Sequence, residues 1–228
     1  MKSTILAPVL VFVLAFAAHQ YRNELGLVEP IQALLGGMGV AAPKAEFTWP
    51  PQAGEPYPDL QLYDQEGNLT RLADFRGKII LIEPIGMPCK ACQAFCGGHR
   101  RGGFHGIPPQ PGLPSIEEAA RTYGGFDLAD PRIVQVHLLL FNLDMQTPTV
   151  EDARAWAAHF GMDRRRNQIV LAGSPEMLNQ ASYQMIPGLQ LVDQRFMLRY
   201  DSTGRTNQRH DLYRELLPAV RQLLTQIP

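Results

Sequence analysis

An apolar run that leads directly into a pair of cysteines constrains this chain more than any other feature. Residues 78–84 read Lys-Ile-Ile-Leu-Ile-Glu-Pro, and residues 88–92 read Pro-Cys-Lys-Ala-Cys. A short uninterrupted apolar run is typical of a strand that is buried on both faces. Two thiols three positions apart at the start of a helix can close a small disulfide ring or bind a soft metal. The sequence therefore predicts a function in sulfur chemistry.

The composition limits the classes of protein to which the chain can belong. All three cysteines of the 228 residues lie between Cys89 and Cys96, which indicates a site rather than a disulfide scaffold. With 45% hydrophobic residues the chain can bury one good core, so we expect one folded domain. The formal charge of −1 gives no basic excess and excludes nucleic acid as the expected partner.

The N-terminus predicts export. Lys2 precedes an uncharged, apolar stretch over residues 3–18, and this pattern is typical of a secretory signal. Residues 1–22 are therefore a signal peptide or an N-terminal membrane anchor, two alternatives that the sequence leaves open. Residues 23–56 are rich in glycine and proline and predict a linker, followed by the domain at 57–228. The expected location is the periplasm, free or anchored through an uncleaved N-terminus.

The rest of the chain alternates between strand and helix patterns. A hairpin is predicted over 60–72, and residues 97–114 contain six glycines and four prolines, which predicts a surface loop or insertion. The other predicted elements are the strands 133–141, 168–171, 189–193 and 196–201 and the helices 115–123, 149–160, 175–181 and 211–224. Such alternation predicts an α/β fold with a largely parallel sheet and an antiparallel edge.

The order of these segments resembles the thioredoxin-like superfamily over about residues 56–226. The hairpin that leads into Asp74-Phe75-Arg76-Gly77-Lys78, and residues 143–149 ahead of a helix with Ala153 and Trp156, are similar to the exported TlpA-type, Sco-like and peroxiredoxin-related (AhpC/TSA) branch. The resemblance implies a thioredoxin-like fold, in which helices flank a central mixed sheet, with an N-terminal hairpin and a Gly/Pro-rich insertion after the active-site helix.

The resemblance also implies two further site residues. Ile186-Pro187 lies where thioredoxins have a cis-proline that faces the dithiol, and Glu83 lies where they have a buried carboxylate behind the second cysteine. From the sequence alone, the alternative for Pro187 is an ordinary proline at the start of a strand. Glu83 can equally be a strand-end carboxylate that faces solvent.

Departures from the family patterns matter as well. Lys90-Ala91 replaces the Gly-Pro pair of thioredoxin, so the resemblance implies neither a reducing nor an oxidising direction. Gly86 stands where a peroxiredoxin has threonine, which disfavours peroxidase activity. Residues 183–194 contain no counterpart of the distal histidine of Sco proteins, and Met185 is the nearest copper-ligand type.

The leading prediction for the site is dithiol chemistry without a required cofactor. Cys89, at the start of a helix, is the predicted nucleophile, because unsatisfied backbone N–H groups favour its thiolate. Cys92 is the resolving thiol, and Glu83 accepts its proton. The expected function is an exported thiol-disulfide oxidoreductase that exchanges disulfides with envelope proteins.

The alternative prediction is a Sco-like module that binds and delivers copper through Cys92 and Cys96 for oxidase assembly. A continuing helix would place Cys92, Cys96 and His99 on one face, a spacing that suits copper or zinc, with His105 as a spare ligand. Cys96 can also be an inert buried thiol or a resolving thiol in a three-cysteine relay. We expect His137, inside an apolar strand, to be a core histidine with its hydrogen bonds satisfied.

Overall fold

The computed structural model of the protein describes residues 48–206 and 208–226. Its strands are β1 Gln61–Tyr63, β2 Leu69–Arg71, β3 Ile79–Gly86, β4 Ile133–Phe141, β5 Gln168–Ala172, β6 Gln190–Val192 and β7 Leu198–Asp201. The first two pair antiparallel, so the predicted hairpin is confirmed. The other five form one sheet in the order β5-β4-β3-β6-β7.

The central strands of this sheet are β3 and β4. They run parallel to each other, and β4 runs parallel to β5, whereas β6 and β7 add an antiparallel edge beside β3. Every residue of β3 and β4 is buried. A strand that is buried on both faces accounts for the continuous apolar runs in the sequence.

The helices follow the sequence prediction in part, since the one expected over 175–181 is a 3₁₀ turn at Pro175–Met177 followed by a helix that begins at Gln180. They are α1 Lys90–Phe95, α2 Gly98–Arg101, α3 Ile116–Ala119, α4 Val150–Phe160, α5 Gln180–Gln184 and α6 Leu217–Leu224. The predicted capping box at Ser115 is present, because its hydroxyl accepts the Glu118 N–H while the Glu118 carboxylate accepts the Ser115 N–H. Single π-helical turns follow α3 and precede α6.

Successive residues of β3 point into two different hydrophobic cores. Ile80 and Ile82 lie in the core that α4 covers, and Ile79 and Leu81 lie in the core that α3 and α6 cover. The β3–α1–β4 segment and the β6–β7–α6 segment thus share one sheet that has helices on both faces. This arrangement is the thioredoxin-like fold, and it confirms the predicted fold class.

The domain begins earlier than the sequence predicts. The Trp49 indole N–H donates to the Ser182 hydroxyl at 2.7 Å, and backbone hydrogen bonds join Gly54 and Glu55 to Leu198 of β7. Residues 49–56 are therefore joined to the domain by hydrogen bonds, although the sequence places them in the linker predicted over 23–56. The predicted signal segment 1–22 and residues 23–47 lie outside the described residues. Among residues 48–206 and 208–226, which the structure describes, no helix has the length and apolar character that a membrane crossing requires.

The Gly/Pro-rich insertion has a defined structure. It contains α2 and a 3₁₀ turn at Phe104–Gly106. The buried Gln93 side chain of α1 donates to the Met87 carbonyl and accepts from the Phe104 N–H, each at 2.8 Å. A Cβ atom at Gly103 would lie 1.6 Å from the Ile107 carbonyl oxygen, so only glycine fits there. The prediction of an insertion is confirmed, but it is more ordered than a plain surface loop.

Two identical substitutions test the central role of β4. Leu138 is 0% exposed and Leu69 of the hairpin is 60% exposed. We expect Leu138→Ala to lower the free energy of unfolding by about 2–5 kcal/mol, because it leaves a cavity in the core. We expect Leu69→Ala to change it by less than about 0.5 kcal/mol. Urea unfolding followed by circular dichroism measures both, and equal losses would contradict the assignment of β4 to the core.

Candidate functional site

The dithiol lies where the central strand ends and α1 begins. β3 ends at Gly86, and the Cys89 N–H donates to the Gly86 carbonyl at 2.9 Å. Cys89 is the N-cap of α1, with its sulfur 3.4 Å from the Cys92 backbone nitrogen, which donates to it. The predicted start of a helix at Cys89 is confirmed, and all three thiols of the chain are free.

The two thiols of the pair differ in environment. Cys89 is half-buried, whereas Cys92 is 0% exposed. A hydrogen bond from the Cys92 thiol, supported by the backbone N–H groups of Cys92 and Ala91, lowers the pKa of Cys89 to about 7. Burial raises the pKa of Cys92 well above its ordinary value. One thiol is thus poised as an accessible thiolate, and the other is held protonated behind it.

A groove of about 760 Å³ opens beside Cys89. Cys89 and Lys90 line it on one side, with Pro187, Arg205 and Asp211 among the residues that line the rest. The Ile186-Pro187 peptide bond is cis, as the resemblance implies, and the Pro187 carbonyl accepts the Gly204 N–H at 2.8 Å. Cys89 and cis-Pro187 therefore line the same groove.

Glu83 lies inside the domain, not at its surface. Its side chain is 3% exposed, so the alternative of a solvent-facing carboxylate is wrong. One carboxylate oxygen, Oε2, lies 3.2 Å from His137 Nδ1 and 3.6 Å from Cys96 Sγ. The other oxygen, Oε1, is buried and makes no hydrogen bond to any described residue.

His137 is the site residue that the sequence reading missed. It pairs directly with Glu83 in the parallel register of β3 and β4, so both side chains leave the same face of the sheet. Its Nε2 atom is buried and has no hydrogen-bond partner within the described part of the chain, so the expectation of a fully satisfied core histidine is wrong. The sequence did contain a signal for this pairing. Glu83 and His137 are each the lone ionisable residue of an apolar strand, and each lies four positions after the first residue of its strand.

The predicted set of metal ligands on a continuing helix is not formed. α1 ends at Phe95, and Gly97 adopts a left-handed conformation with φ of 90°, which turns the chain away. His99 is exposed, with Nε2 3.1 Å from the Gln110 carbonyl, and the His105 ring packs on Phe104. The prediction that His99 shares a face with Cys92 and Cys96 is therefore wrong.

The structure instead brings Cys96 together with Glu83 and His137. Donor atoms of these three residues all lie within 4.8 Å of one another. Burial, followed by the nearby Glu83 charge, raises the pKa of the Cys96 thiol, and the Trp156 indole acts in the opposite direction. Cys96 is thus neither exposed nor part of the groove that Cys89 lines.

Comparison with known proteins names no family for this chain. No family model and no curated protein matches the chain. Among solved structures, BsSco, a member of the Sco family of cytochrome c oxidase assembly proteins, has a TM-score of 0.48 and 12% identity, covering 79% of this chain and 99% of its own. A SCO1/SenC family lipoprotein from Bacillus anthracis has a TM-score of 0.48 and 16% identity, with coverages of 76% and 99%.

A third similar structure belongs to a different functional class. The thioredoxin domain of a thiol-disulfide oxidoreductase from Bacteroides vulgatus has a TM-score of 0.42 and 16% identity, covering 78% of this chain and 99% of its own. Likeness this distant does not distinguish disulfide exchange from copper chemistry. The fold assignment rests on the strand order and on the position of α1 directly after β3. By these features the chain has a thioredoxin-like fold.

The pKa of Cys89 gives a test of the site. A thiol whose pKa is lowered to about 7 becomes a thiolate as pH rises through that value, two units below the ordinary value of 9.0. We expect the rate of Cys89 alkylation by iodoacetamide, followed by peptide mass spectrometry, to have its midpoint near pH 7. In Cys92→Ala, which loses the thiol hydrogen bond, the midpoint should rise. The same midpoint in both proteins would contradict the role given to Cys92.

Proposed function

We propose that the chain is an exported thiol-disulfide oxidoreductase that exchanges disulfides with envelope proteins through Cys89 and Cys92. The observation that carries the proposal is the half-buried Cys89 thiol, with its lowered pKa, on a groove shared with cis-Pro187 and backed by the fully buried Cys92. An accessible nucleophile with a protected resolving thiol is the requirement for two-step exchange.

In the first step, the Cys89 thiolate attacks one sulfur of a partner disulfide lying in the groove. A bond forms between Cys89 and that sulfur, the partner's own S–S bond breaks, and the other partner sulfur leaves as a thiolate. The Cys92 N–H, which donates to the Cys89 sulfur at 3.4 Å, stabilises the thiolate before the attack. The product is a mixed disulfide between the two proteins.

In the second step, Cys92 gives up its proton and attacks the Cys89 sulfur. The Cys89–Cys92 disulfide forms and the partner leaves as a second thiol, so the partner is reduced by two electrons and this chain is oxidised by two. Because burial raises the pKa of Cys92, this step needs a base. Glu83 is the buried carboxylate on the strand that leads to the dithiol, and its Oε1 is free of hydrogen bonds to the described residues. The reverse sequence of steps transfers the disulfide to the partner.

Export and envelope partners rest on a different part of the chain. Lys2 and the apolar stretch over residues 3–18 have the pattern of a secretory signal. A periplasmic location, with or without an N-terminal anchor, would place the dithiol where disulfides persist in partner proteins. The proposed partners are therefore envelope proteins whose cysteines can reach the groove.

Copper delivery through Cys92 and Cys96 is the second candidate. The two residues are one helical turn apart, with the Cys96 N–H donating to the Cys92 carbonyl at 3.0 Å, and thiolates suit Cu(I). The third predicted ligand, His99, is held elsewhere by the turn at Gly97. The dithiol with its groove therefore supports exchange better than it supports this copper site.

Trapping of the mixed disulfide tests the roles of the three cysteines. We expect Cys92→Ala to accumulate mixed disulfides with a peptide disulfide, because the resolving thiol is missing. Cys89→Ser should abolish exchange, and Cys96→Ser should retain most of it. Non-reducing gels and mass spectrometry of the linked peptides measure all three. Exchange that persists in Cys89→Ser would sink the proposal.

The role of Glu83 has a separate test. We expect Glu83→Gln to slow the decay of the mixed disulfide by about tenfold or more, because an amide cannot accept the Cys92 proton. The rate of the first attack should change much less. Rapid acid quench followed by mass spectrometry resolves the two steps. Glu151→Gln, at an exposed position on α4, is the matched control and should leave both rates unchanged. If Glu83→Gln also leaves the decay rate of the mixed disulfide unchanged, Glu83 has no part in the mechanism.

A further inference from the structure

Behind the dithiol, three elements bring together a carboxylate, a thiol and an imidazole. Glu83 comes from β3, His137 from β4 and Cys96 from the end of α1. The distance from Glu83 Oε2 to His137 Nδ1 is 3.2 Å, that from Oε2 to Cys96 Sγ is 3.6 Å, and that from Sγ to Nδ1 is 3.8 Å. Neither Cys89 nor Cys92 belongs to this cluster.

These three distances match the edges of a metal-centred tetrahedron. Zinc binds nitrogen and oxygen at about 2.0–2.2 Å and thiolate at about 2.3 Å. With tetrahedral angles, such bonds place the nitrogen and oxygen about 3.4 Å apart and place sulfur about 3.6 Å from either of them. The donor atoms of Glu83, Cys96 and His137 therefore need to shift by only a few tenths of an ångström to enclose an ion.

Two buried polar atoms of the cluster have no hydrogen-bond partner among the described residues. These atoms are Glu83 Oε1 and His137 Nε2, and both side chains are more than nine-tenths buried. Polar atoms in this state are uncommon in folded proteins, because each has lost its water without replacement. A bound cation would be coordinated by one or both oxygens of the Glu83 carboxylate. In the second case Oε1, which has no hydrogen-bond partner among the described residues, would be a metal ligand.

We propose that Glu83, Cys96 and His137 form a zinc site. The mixed set of sulfur, nitrogen and oxygen donors suits Zn²⁺, whereas Cu(I) favours sulfur-rich sites and Mg²⁺ or Ca²⁺ favour oxygen. The fourth position is filled by the second carboxylate oxygen or by water. Because the ligands come from β3, β4 and α1, the ion ties the two central strands to the helix that presents the dithiol.

A route of access to this site is present. A cavity of about 220 Å³ is lined by Cys96 and His137 and reaches the exposed side chains of Arg100 and Arg121. Both arginines pair with Glu117, which offsets part of the positive charge at the mouth. The site therefore opens on a cavity whose lining includes neither Cys89 nor Pro187, and an ion can reach it without crossing the groove used by a partner.

The test must separate this site from the dithiol, which can itself bind zinc. We therefore use the reduced full chain in mild detergent with Cys89→Ala and Cys92→Ala combined, and titrate Zn²⁺ against a chromophoric chelator. One ion per chain is expected. In the same background, Cys96→Ser and His137→Gln should each weaken binding by more than about tenfold, because each removes a ligand. His99→Gln, at an exposed histidine, is the matched control and should bind as the background does.

Cobalt substitution supplies a readout that does not depend on activity. Co²⁺ in the background variant should give a thiolate-to-metal charge-transfer absorption, and Cys96→Ser should abolish that absorption. Circular dichroism checks that each variant is folded, and Cys96→Ser decides the question if His137→Gln does not fold. Zinc that binds only when Cys89 and Cys92 are intact would overturn the proposal, as would binding that survives Cys96→Ser. If the background variant does not bind zinc, the three residues form a hydrogen-bonded cluster only, and this result would also overturn the proposal.

Discussion

The parallel pairing of β3 with β4 is the constraint on which the rest of the structure depends. The two strands are buried along their whole length and run in register from Ile79 opposite Ile133 to Ile85 opposite Leu139. Their side chains fill the cores on both faces of the sheet, and β3 ends where α1 must begin. The position of the dithiol is thus set by two strands in which every residue is buried. A rigid platform of this kind holds a reactive group in one geometry without support from the surface.

The chemistry of the dithiol follows from a gradient of burial over one helical turn. Cys89 caps the helix at the edge of the groove, and Cys92 faces the core. Hydrogen bonding from Cys92 lowers the pKa of the first thiol, while desolvation raises that of the second. Two residues of one type therefore differ in reactivity because of their surroundings. This difference, with the groove and cis-Pro187, supports disulfide exchange over the other readings of the sequence.

Register also decides what lies behind the dithiol. A polar side chain inside a central strand costs free energy unless a partner meets it. Glu83 and His137 meet because they occupy equivalent positions in two parallel strands, and Cys96 reaches them from the end of α1. Cys96 and His137 also line a cavity that is separate from the groove beside Cys89. A carboxylate in that position can accept the proposed proton in the metal-free form or hold the ion in the zinc-bound form, but it cannot do both at once.

The sequence by itself determined the fold class, the hairpin, the strand-to-helix boundary at Cys89 and the capped start of α3, because each is encoded in local periodicity, turn residues and capping. It also indicated Glu83 and Pro187 through family resemblance. The partner of Glu83 was decided only by the tertiary structure, since His137 lies 54 residues away and meets it through strand register. In the same way, one left-handed glycine, Gly97, removed His99 from the site. Local patterns fix elements, whereas contacts between distant residues depend on how those elements pack.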